Sequence, residues 1–158
     1  MESRDFSFWD TESNQIPQEY FQKIMSVLAA HQIAFWEYDL LNGEITLSKD
    51  FFRILGLEQI RIHFYCLEDA YSSFHPDDVE TYSKAFSQML EDQTKSSVIS
   101  YRRVGKGGEV VWLEDHFLSY QRDDLGHPTK LVVYTVNVTS HKEKDHEIRR
   151  LVDYNKKL

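Results

Sequence analysis

The residue types most suited to catalysis in this chain are one cysteine and a few histidines. Cys66 follows His63 by three residues, a spacing that would allow a thiolate and an imidazole to meet. The cysteine stands in an apolar stretch, FYCLEDAY, and a lone cysteine in such surroundings is typically buried and unreactive. No strand-turn-helix motif with a nucleophilic serine accompanies it. The sequence therefore predicts no catalytic residue and no enzymatic activity in this chain.

Histidine and acidic residues also occur together at two places. His75, Asp77 and Asp78 surround Pro76, an order typical of a helix start, where carboxylates lie near the positive end of the helix dipole. This role accounts for them, and we expect no metal site there. His116 alternates with Glu114 along a strand pattern, and the sequence does not decide whether it contacts a ligand or a carboxylate.

The glycine-rich stretch VGKGG might be taken for a phosphate-binding loop. It lacks the spacing of a P-loop and the Ser or Thr that follows the P-loop lysine. It also lies between two strand patterns, so we interpret it as a hairpin turn.

Composition excludes several partners. The net charge is −8, and no run of basic residues is present to bind a nucleic-acid backbone. The longest apolar stretches are shorter than the ~20 residues of a membrane helix, and the first residues, MESRDFSFWD, lack the order of a signal peptide. We expect a cytoplasmic protein without membrane insertion or nucleic-acid binding.

The first half of the chain carries the patterns of a helix and a hairpin. Apolar residues at helical spacing begin after Pro17, and we predict a helix that ends near His31. Alternating residues then lead to Asn42-Gly43, which predicts a β-hairpin with a two-residue type I′ turn. A short helix follows, with Ser48 as its N-cap and Gly56 at its end.

The second half predicts one longer helix, three strands and a final helix. The longer helix starts near Pro76 and ends near Glu91. The strands follow as SVISYRRV, EVVWLEDHFLSYQ and KLVVYTVNV, and the last one passes into a charged helical pattern without glycine or proline between. This order indicates an α+β fold with an antiparallel sheet.

Four segments, taken in order, resemble a known family: FWEYDLLNGEITLSKDFFRILGL, FHPDD, YRRVGKGGEVVWLED and VNVTSHKEK. They are similar to the successive parts of a PAS domain with its PAC motif, the sensory box of bacterial-type signalling proteins. The resemblance implies a five-stranded antiparallel sheet in the order 2-1-5-4-3, with short helices on one face and flanking helices at both ends. Together with the residue patterns at both ends, it divides the chain into a flexible segment 1–16, an N-terminal helix 17–32, a PAS/PAC domain 33–140 and a signalling helix 141–158.

The resemblance also directs attention to cofactors. Flavin-binding relatives carry an Asn-Cys-Arg sequence, whereas Cys66 here stands between Tyr65 and Leu67. Haem-binding relatives offer a histidine on the long helix, and DVETYSKAFSQMLE contains none, which leaves His63 or His75 as misplaced candidates. The residues therefore favour neither flavin nor haem, and the identity of any cofactor is unknown.

An interior of aromatic and aliphatic side chains remains as the candidate ligand site. Buried Trp and Tyr need partners for their polar atoms, so a small pocket with a bound small molecule is an open alternative to a plain core. We expect this pocket between the sheet and the helices, lined by Trp36, Tyr38, Phe52, Phe86, Met89, Tyr101, Trp112 and Tyr134.

The last strand and the final helix carry the predicted signalling residues. PAS relatives commonly have Asp-Ile-Thr where this chain has Asn137-Val138-Thr139, so the junction here would be weaker or differently connected. Ile148, Leu151, Asn155 and Leu158 then form a short heptad pattern that could pair two chains or remain a solvated surface.

The leading hypothesis is a cytoplasmic sensory and dimerisation module. Its final helix would transmit a ligand- or partner-induced change to an effector domain of the same polypeptide, such as a histidine kinase or a diguanylate cyclase. The alternative is a ligand-free scaffold for protein–protein interaction.

Overall fold

The structure, a computed structural model, describes residues 17–57, 66–91 and 96–158. The predicted flexible segment 1–16 and His63 lie outside these described residues. The helices are α1 (Gln18–Ala30), α2 (Phe51–Ile54), α3 (Leu67–Tyr71), α4 (Pro76–Glu91) and α5 (Thr139–Lys156). The strands are β1 (Ile33–Asp39), β2 (Glu44–Leu47), β3 (Ser96–Val104), β4 (Val110–Arg122) and β5 (Pro128–Asn137).

The five strands form one antiparallel sheet in the order β2-β1-β5-β4-β3, which confirms the predicted fold. Three strand pairs are hairpins of neighbouring strands. The fourth pair joins β1 to β5, so that the first and last strands lie side by side at the centre of the sheet. The end of the domain is thereby placed next to its beginning.

The first hairpin is present, but its predicted two-residue type I′ turn is wrong. Residues 40–43 connect the strands, and Asp39 pairs with Glu44. Gly43 alone in this turn has a positive φ, of 74°, whereas a type I′ turn requires two such residues. The Asp39 carboxylate accepts hydrogen bonds from the backbone N–H groups of Leu41 and Asn42, which stabilises the longer turn.

Ser48 does not cap α2 as predicted. Its hydroxyl oxygen accepts a hydrogen bond from Phe35 N–H at 3.1 Å, so it extends the contact between the ends of β1 and β2. Asp50 occupies the cap position, with a left-handed φ of 59°. Gly56 ends the helix with a φ of 76°, as the sequence predicted.

The core lies between one face of the sheet, here called the inner face, and helices α2, α3 and α4. Alternate residues of each strand reach this face because successive side chains of a strand point to opposite sides. On β4 these are Val111, Leu113, Asp115 and Phe117. The helices contribute Phe51, Ala70, Tyr82, Phe86 and Met89, and the segments that follow α2 and α3 contribute Leu55 and Phe74.

The opposite face, here called the outer face, carries two residues that the sequence pattern predicts in the interior. Trp112 and Tyr134 belong to the other alternation of β4 and β5, and Tyr134 is 40% exposed. The prediction that they line an interior pocket is therefore wrong. Both alternations of β4 contain apolar residues, so the hydrophobic pattern alone did not identify the inner one.

The two flanking helices contact the sheet without burying a residue completely. α1 contacts β1, and the first turn of α5 contacts β4. Among the described residues, no helix is both long and apolar enough to cross a membrane.

The orientation of β4 can be tested with two leucines. Leu113 is fully buried, whereas Leu118 is 52% exposed on the outer face. We expect Leu113→Ala to lower the free energy of unfolding by about 2–5 kcal/mol, because truncating a buried leucine loses transfer free energy and leaves a cavity. Leu118→Ala should change it by less than about 1 kcal/mol in the same urea melts. Equal losses for the two variants would contradict the assignment of the inner face.

Candidate functional site

A carboxylate lies in the middle of the apolar core. Asp115 stands between Leu113 and Phe117 on the inner face of β4, and only 1% of its surface is exposed. A buried carboxylate is stable only where hydrogen-bond donors replace the water it has lost. The surroundings of Asp115 therefore define the polar centre of the fold.

Three hydroxyl groups from three elements donate hydrogen bonds to this carboxylate. Tyr82 of α4 donates to Oδ2 at 2.7 Å, and Tyr101 of β3 donates to Oδ1 at 3.0 Å. Thr135 of β5 also donates to Oδ1, at 2.6 Å, and its own oxygen accepts the indole N–H of Trp36 at 3.1 Å. We call these five residues the Asp115 cluster.

Burial shifts the pKa of each titratable group in the cluster. It raises the pKa of the Asp115 carboxyl, although hydrogen bonds from Thr135 and Tyr82 oppose this shift. Burial and the nearby carboxylate both raise the pKa of Tyr82 and Tyr101 well above the ordinary phenol value. The two phenols thus keep their protons and remain donors.

A buried arginine lies beside the cluster. Arg103 of β3 is 4% exposed and donates hydrogen bonds to the Ser73 hydroxyl and to the Ala70 carbonyl. Its guanidinium also lies 4.8 Å from the centre of the Phe74 ring, a favourable cation–π contact. Its positive charge lowers the pKa of Asp115 and so opposes the effect of burial.

A cavity of about 20 Å³ opens next to these charges. Its polar wall consists of Tyr82, Arg103 and Asp115. The remaining wall is apolar and comes from the first two strands, from helices α2 and α3 and from Phe74, which lies between α3 and α4; its residues are Trp36, Ile45, Leu47, Phe51, Leu67, Ala70 and Phe74.

The predicted ligand residues divide into three groups. Trp36 lines the cavity, and Tyr101 belongs to the Asp115 cluster. Tyr38, Phe52, Phe86 and Met89 lie within or against the same core, where Tyr38 and Phe86 make an aromatic contact at 5.9 Å. Trp112 and Tyr134 lie on the outer face. Ligand binding by any of these residues stays a prediction.

Our sequence reasoning missed the polar residues of this site, Asp115 and Arg103 above all. For Asp115 a signal was present, because it stands between Leu113 and Phe117, apolar residues at alternate positions that share its face. Recognising it required knowing which alternation faces inward.

A second constellation joins β5 to α5. The Asn137 side-chain nitrogen donates to the Leu55 carbonyl at the end of α2, at 2.8 Å, and its side-chain oxygen accepts Thr139 N–H at 3.0 Å. The Thr139 hydroxyl oxygen accepts a hydrogen bond from the backbone N–H of Trp112 at 3.0 Å. The junction is therefore connected differently from one with aspartate, because a carboxylate would accept but could not donate to Leu55.

A family model of the PAS fold matches residues 44–135, which is more than half of the chain. The chain belongs to the PAS family. No curated protein sequence matches it.

Solved structures share this PAS fold at low sequence identity. A sensory box histidine kinase/response regulator from Burkholderia thailandensis E264 aligns with a TM-score of 0.68 and 21% identity, over 86% of this chain and 99% of that one. The N-terminal domain of a diguanylate cyclase with PAS/PAC sensor from Marinobacter aquaeolei gives 0.59 and 20%, over 70% and 98%. A PAS domain from Colwellia psychrerythraea gives 0.53 and 15%, over 77% and 98%. At such identities these likenesses show the fold.

The two groups of histidine and acidic residues make hydrogen bonds and ring contacts within the PAS domain. His75 Nδ1 accepts Asp77 N–H at 3.2 Å and so caps α4, while Asp78 binds the Arg102 backbone and guanidinium. His116 contacts Glu114 at 2.7 Å and stacks on the Tyr134 ring. In the described ranges, no group of three or more His, Cys, Asp or Glu residues is arranged to hold a metal ion.

The raised pKa of Asp115 predicts a particular dependence of stability on pH. The folded protein holds this proton more tightly than the unfolded chain does. The stabilising contribution is full below the pKa of the unfolded chain, about 3.9, and is lost as pH rises through the folded pKa. We expect urea melts to show the wild type losing stability relative to Asp115→Asn across this window.

Asp78 provides a control of opposite sign. Its hydrogen bonds with Arg102 lower its pKa, so its contribution is present above the unfolded pKa and is lost as pH falls through the folded pKa. Relative to Asp78→Asn, the wild type should lose stability on acidification. The same sign of pH dependence for both comparisons would contradict the environment assigned to Asp115.

Proposed function

We propose that this PAS domain is a sensory and dimerisation module that transmits a change in its interior through the β5–α5 junction to an effector. Catalysis would belong to that effector, in the same polypeptide and in the cytoplasm. Two of the structural neighbours are named as a sensory histidine kinase and as a diguanylate cyclase with PAS/PAC sensor, and either type of effector would suit this arrangement. A ligand-free scaffold is the second candidate.

The observation that carries the proposal is the double hydrogen bond of Asn137. One amide side chain binds both the end of α2, at Leu55, and the start of α5, at Thr139. Leu55 is fully buried, and Phe51 at the other end of α2 lines the cavity. A displacement of α2 by a ligand would therefore act directly on the first turn of α5.

A second connection reaches the same turn across the outer face. The centre of the Trp112 ring lies 5.1 Å from the Arg102 guanidinium and 5.2 Å from the Lys142 ammonium of α5. Asp78 of α4 binds the same arginine with both carboxylate oxygens. Movements of α4, which covers the inner face, would thus also change the contacts of the first turn of α5.

The junction is tested by Asn137→Asp. The carboxylate retains the acceptor for Thr139 but loses the donor to Leu55 and faces that carbonyl with a negative charge. We expect the backbone amides in the first turn of α5 to exchange hydrogen about tenfold faster or more, which corresponds to ~1.4 kcal/mol or more of local opening free energy. Hydrogen-exchange mass spectrometry measures this.

Asn42→Asp is the matched control. It makes the same chemical change in the β1–β2 turn, where Asn42 uses only its side-chain oxygen, as acceptor for Glu44 N–H. Exchange in α5 should be unchanged in this variant. Unaltered exchange in Asn137→Asp, or an equal increase in the control, would contradict coupling through Asn137.

Exposed apolar residues on both flanking helices support the homodimer. On α1, Tyr20, Ile24 and Val27 are 58%, 48% and 58% exposed, whereas Phe21 and Leu28 are only half-buried. On α5, Ile148 and Leu151 are 58% and 54% exposed, and Asn155 is exposed on the same helix. A second copy related by a two-fold axis would cover both helices, with α1 supplying most of the contact because the heptad pattern of α5 is short.

Sedimentation tests this assembly. The wild type should be dimeric at tens of micromolar protein, and Ile24→Glu with Val27→Glu should be monomeric, because burial of two carboxylates in an apolar interface is costly. As a control, Leu41→Glu with Leu125→Glu changes two leucines in turns, exposed at 82% and 77%. A wild-type monomer would exclude the dimer. A dimeric Ile24→Glu, Val27→Glu variant, or monomers from both double variants, would contradict the placement of its interface on α1.

A further inference from the structure

The free edge of β3 is open along the first half of the strand. β3 lies at the end of the sheet, next to β4. The backbone N–H of Arg102 donates to Asp78 and its carbonyl accepts His75 N–H, so both groups point away from β4. Because the direction of these groups repeats every second residue, those of Val98 and Ser100 also point to the free edge. Within the described ranges, no backbone group bonds to them there.

We propose that this open edge pairs, antiparallel, with the same edge of a second copy of the chain. The two-fold axis would pass beside Val98, so that Val98 lies opposite Val98 of the second copy and Ser96 lies opposite Ser100 at both ends. Each opposed pair would exchange two backbone hydrogen bonds. This contact lies on a different strand from α1 and β1 and goes beyond the proposed homodimer, because two different two-fold contacts would join dimers into larger assemblies.

The open half of β3 lacks the features that normally protect an edge strand. Such features are charged side chains, proline, bulges and short length. Residues Ser96–Ser100 have the sequence SSVIS, with no charge and no proline, and β3 pairs with β4 in a regular register that contains no bulge. The strand at the other end of the sheet, β2, has only four residues and begins with Glu44. Of the two edges, β3 is therefore the one suited to strand pairing.

A second copy fits this edge because the segment is complementary to itself. Two-fold pairing of an uncharged segment places no like charges opposite each other, which would otherwise destabilise the ladder. The side chain of Val98 is 54% exposed on the outer face, and it would meet the same side chain across the axis as an apolar cross-strand pair. Strand addition at a sheet edge takes its affinity from main-chain hydrogen bonds, and each copy supplies donors and acceptors in equal number.

The connection between α3 and α4 limits the length of the pairing. Its Ser73 carbonyl accepts Val104 N–H, and His75 N–H donates to the Arg102 carbonyl, so the second half of the edge is already occupied. Residues 96–100 remain for the second copy. Pairing over so short a segment is weak, and we expect it at about millimolar protein rather than at tens of micromolar, because a two-stranded contact alone is only marginally stable in water.

The test uses the chain with Ile24→Glu and Val27→Glu, so that α1 does not contribute to the association. Amide proton resonances of ¹⁵N-labelled protein are followed from tens of micromolar to millimolar concentration. We expect those of Val98 and Ser100 to move downfield saturably, because new hydrogen bonds form at these groups. The Ile99 resonance should move much less, because its N–H points toward β4.

Two lysine variants separate edge pairing from packing of the outer faces. Val98→Lys places like charges opposite each other at the axis, and we expect the concentration at half-saturation, read at Ser100, to rise about fivefold or more. Leu118→Lys is the matched control, because Leu118 is 52% exposed on the same face but lies on β4, an interior strand. It should change that concentration by less than about twofold. Ser100→Lys, read at residue 98, replaces the edge variant if Val98→Lys does not fold by circular dichroism.

Three outcomes count against the proposal. Resonances of Val98 and Ser100 that stay constant up to millimolar protein would overturn it. Equal weakening by the edge variant and by Leu118→Lys would assign the association to the outer face and would overturn it as well. So would association that is unchanged in the folded edge variant. None of these outcomes affects the homodimer through α1, which is tested with the wild type at tens of micromolar.

Discussion

The buried carboxylate of Asp115 is the interaction on which the rest of this structure depends. It receives donors from α4, β3 and β5, and through Thr135 it is connected to Trp36 of β1. Loss of one partner of a buried polar group costs about 1–3 kcal/mol, more if the group is charged. A shift of any of these elements by one residue would remove a donor, so the cluster specifies their register in a way that apolar contacts alone do not.

The Asp115 cluster also lies close to the junction of β5 and α5. Thr135 and Asn137 are alternate residues of β5 and share the inner face, so the polar centre and the junction are separated by a single residue of one strand. Tyr82 belongs to α4. Asp78 of the same helix binds Arg102, and the guanidinium of Arg102 contacts the ring of Trp112. Two connections thus run from the interior to the first turn of α5, one along β5 and one across the outer face.

The fold was predictable because its signals are local. Pro76 with two following aspartates fixes the start of α4, and the apolar spacing behind it fixes the length of that helix. The strands were predictable from β-branched and aromatic residues between turn residues. The length of a turn was harder to predict from the sequence. The β1–β2 hairpin was predicted correctly, but Asp39 stabilises a longer turn than Asn42-Gly43 suggests.

The sequence by itself determined the order of elements, the antiparallel sheet and the direct passage from the last strand into the final helix. Only the tertiary structure decided which side chains form the site. β4 has apolar residues in both alternations, and only in the folded chain does Asp115 lie on the inner face, where Tyr82 of α4 donates a hydrogen bond to it, while Trp112 lies on the outer face. Likewise Asn137 gains its role from Leu55, 82 residues away, a contact that no local pattern encodes. Long-range hydrogen bonds depend on how separate elements pack, and that packing exists only in the folded chain.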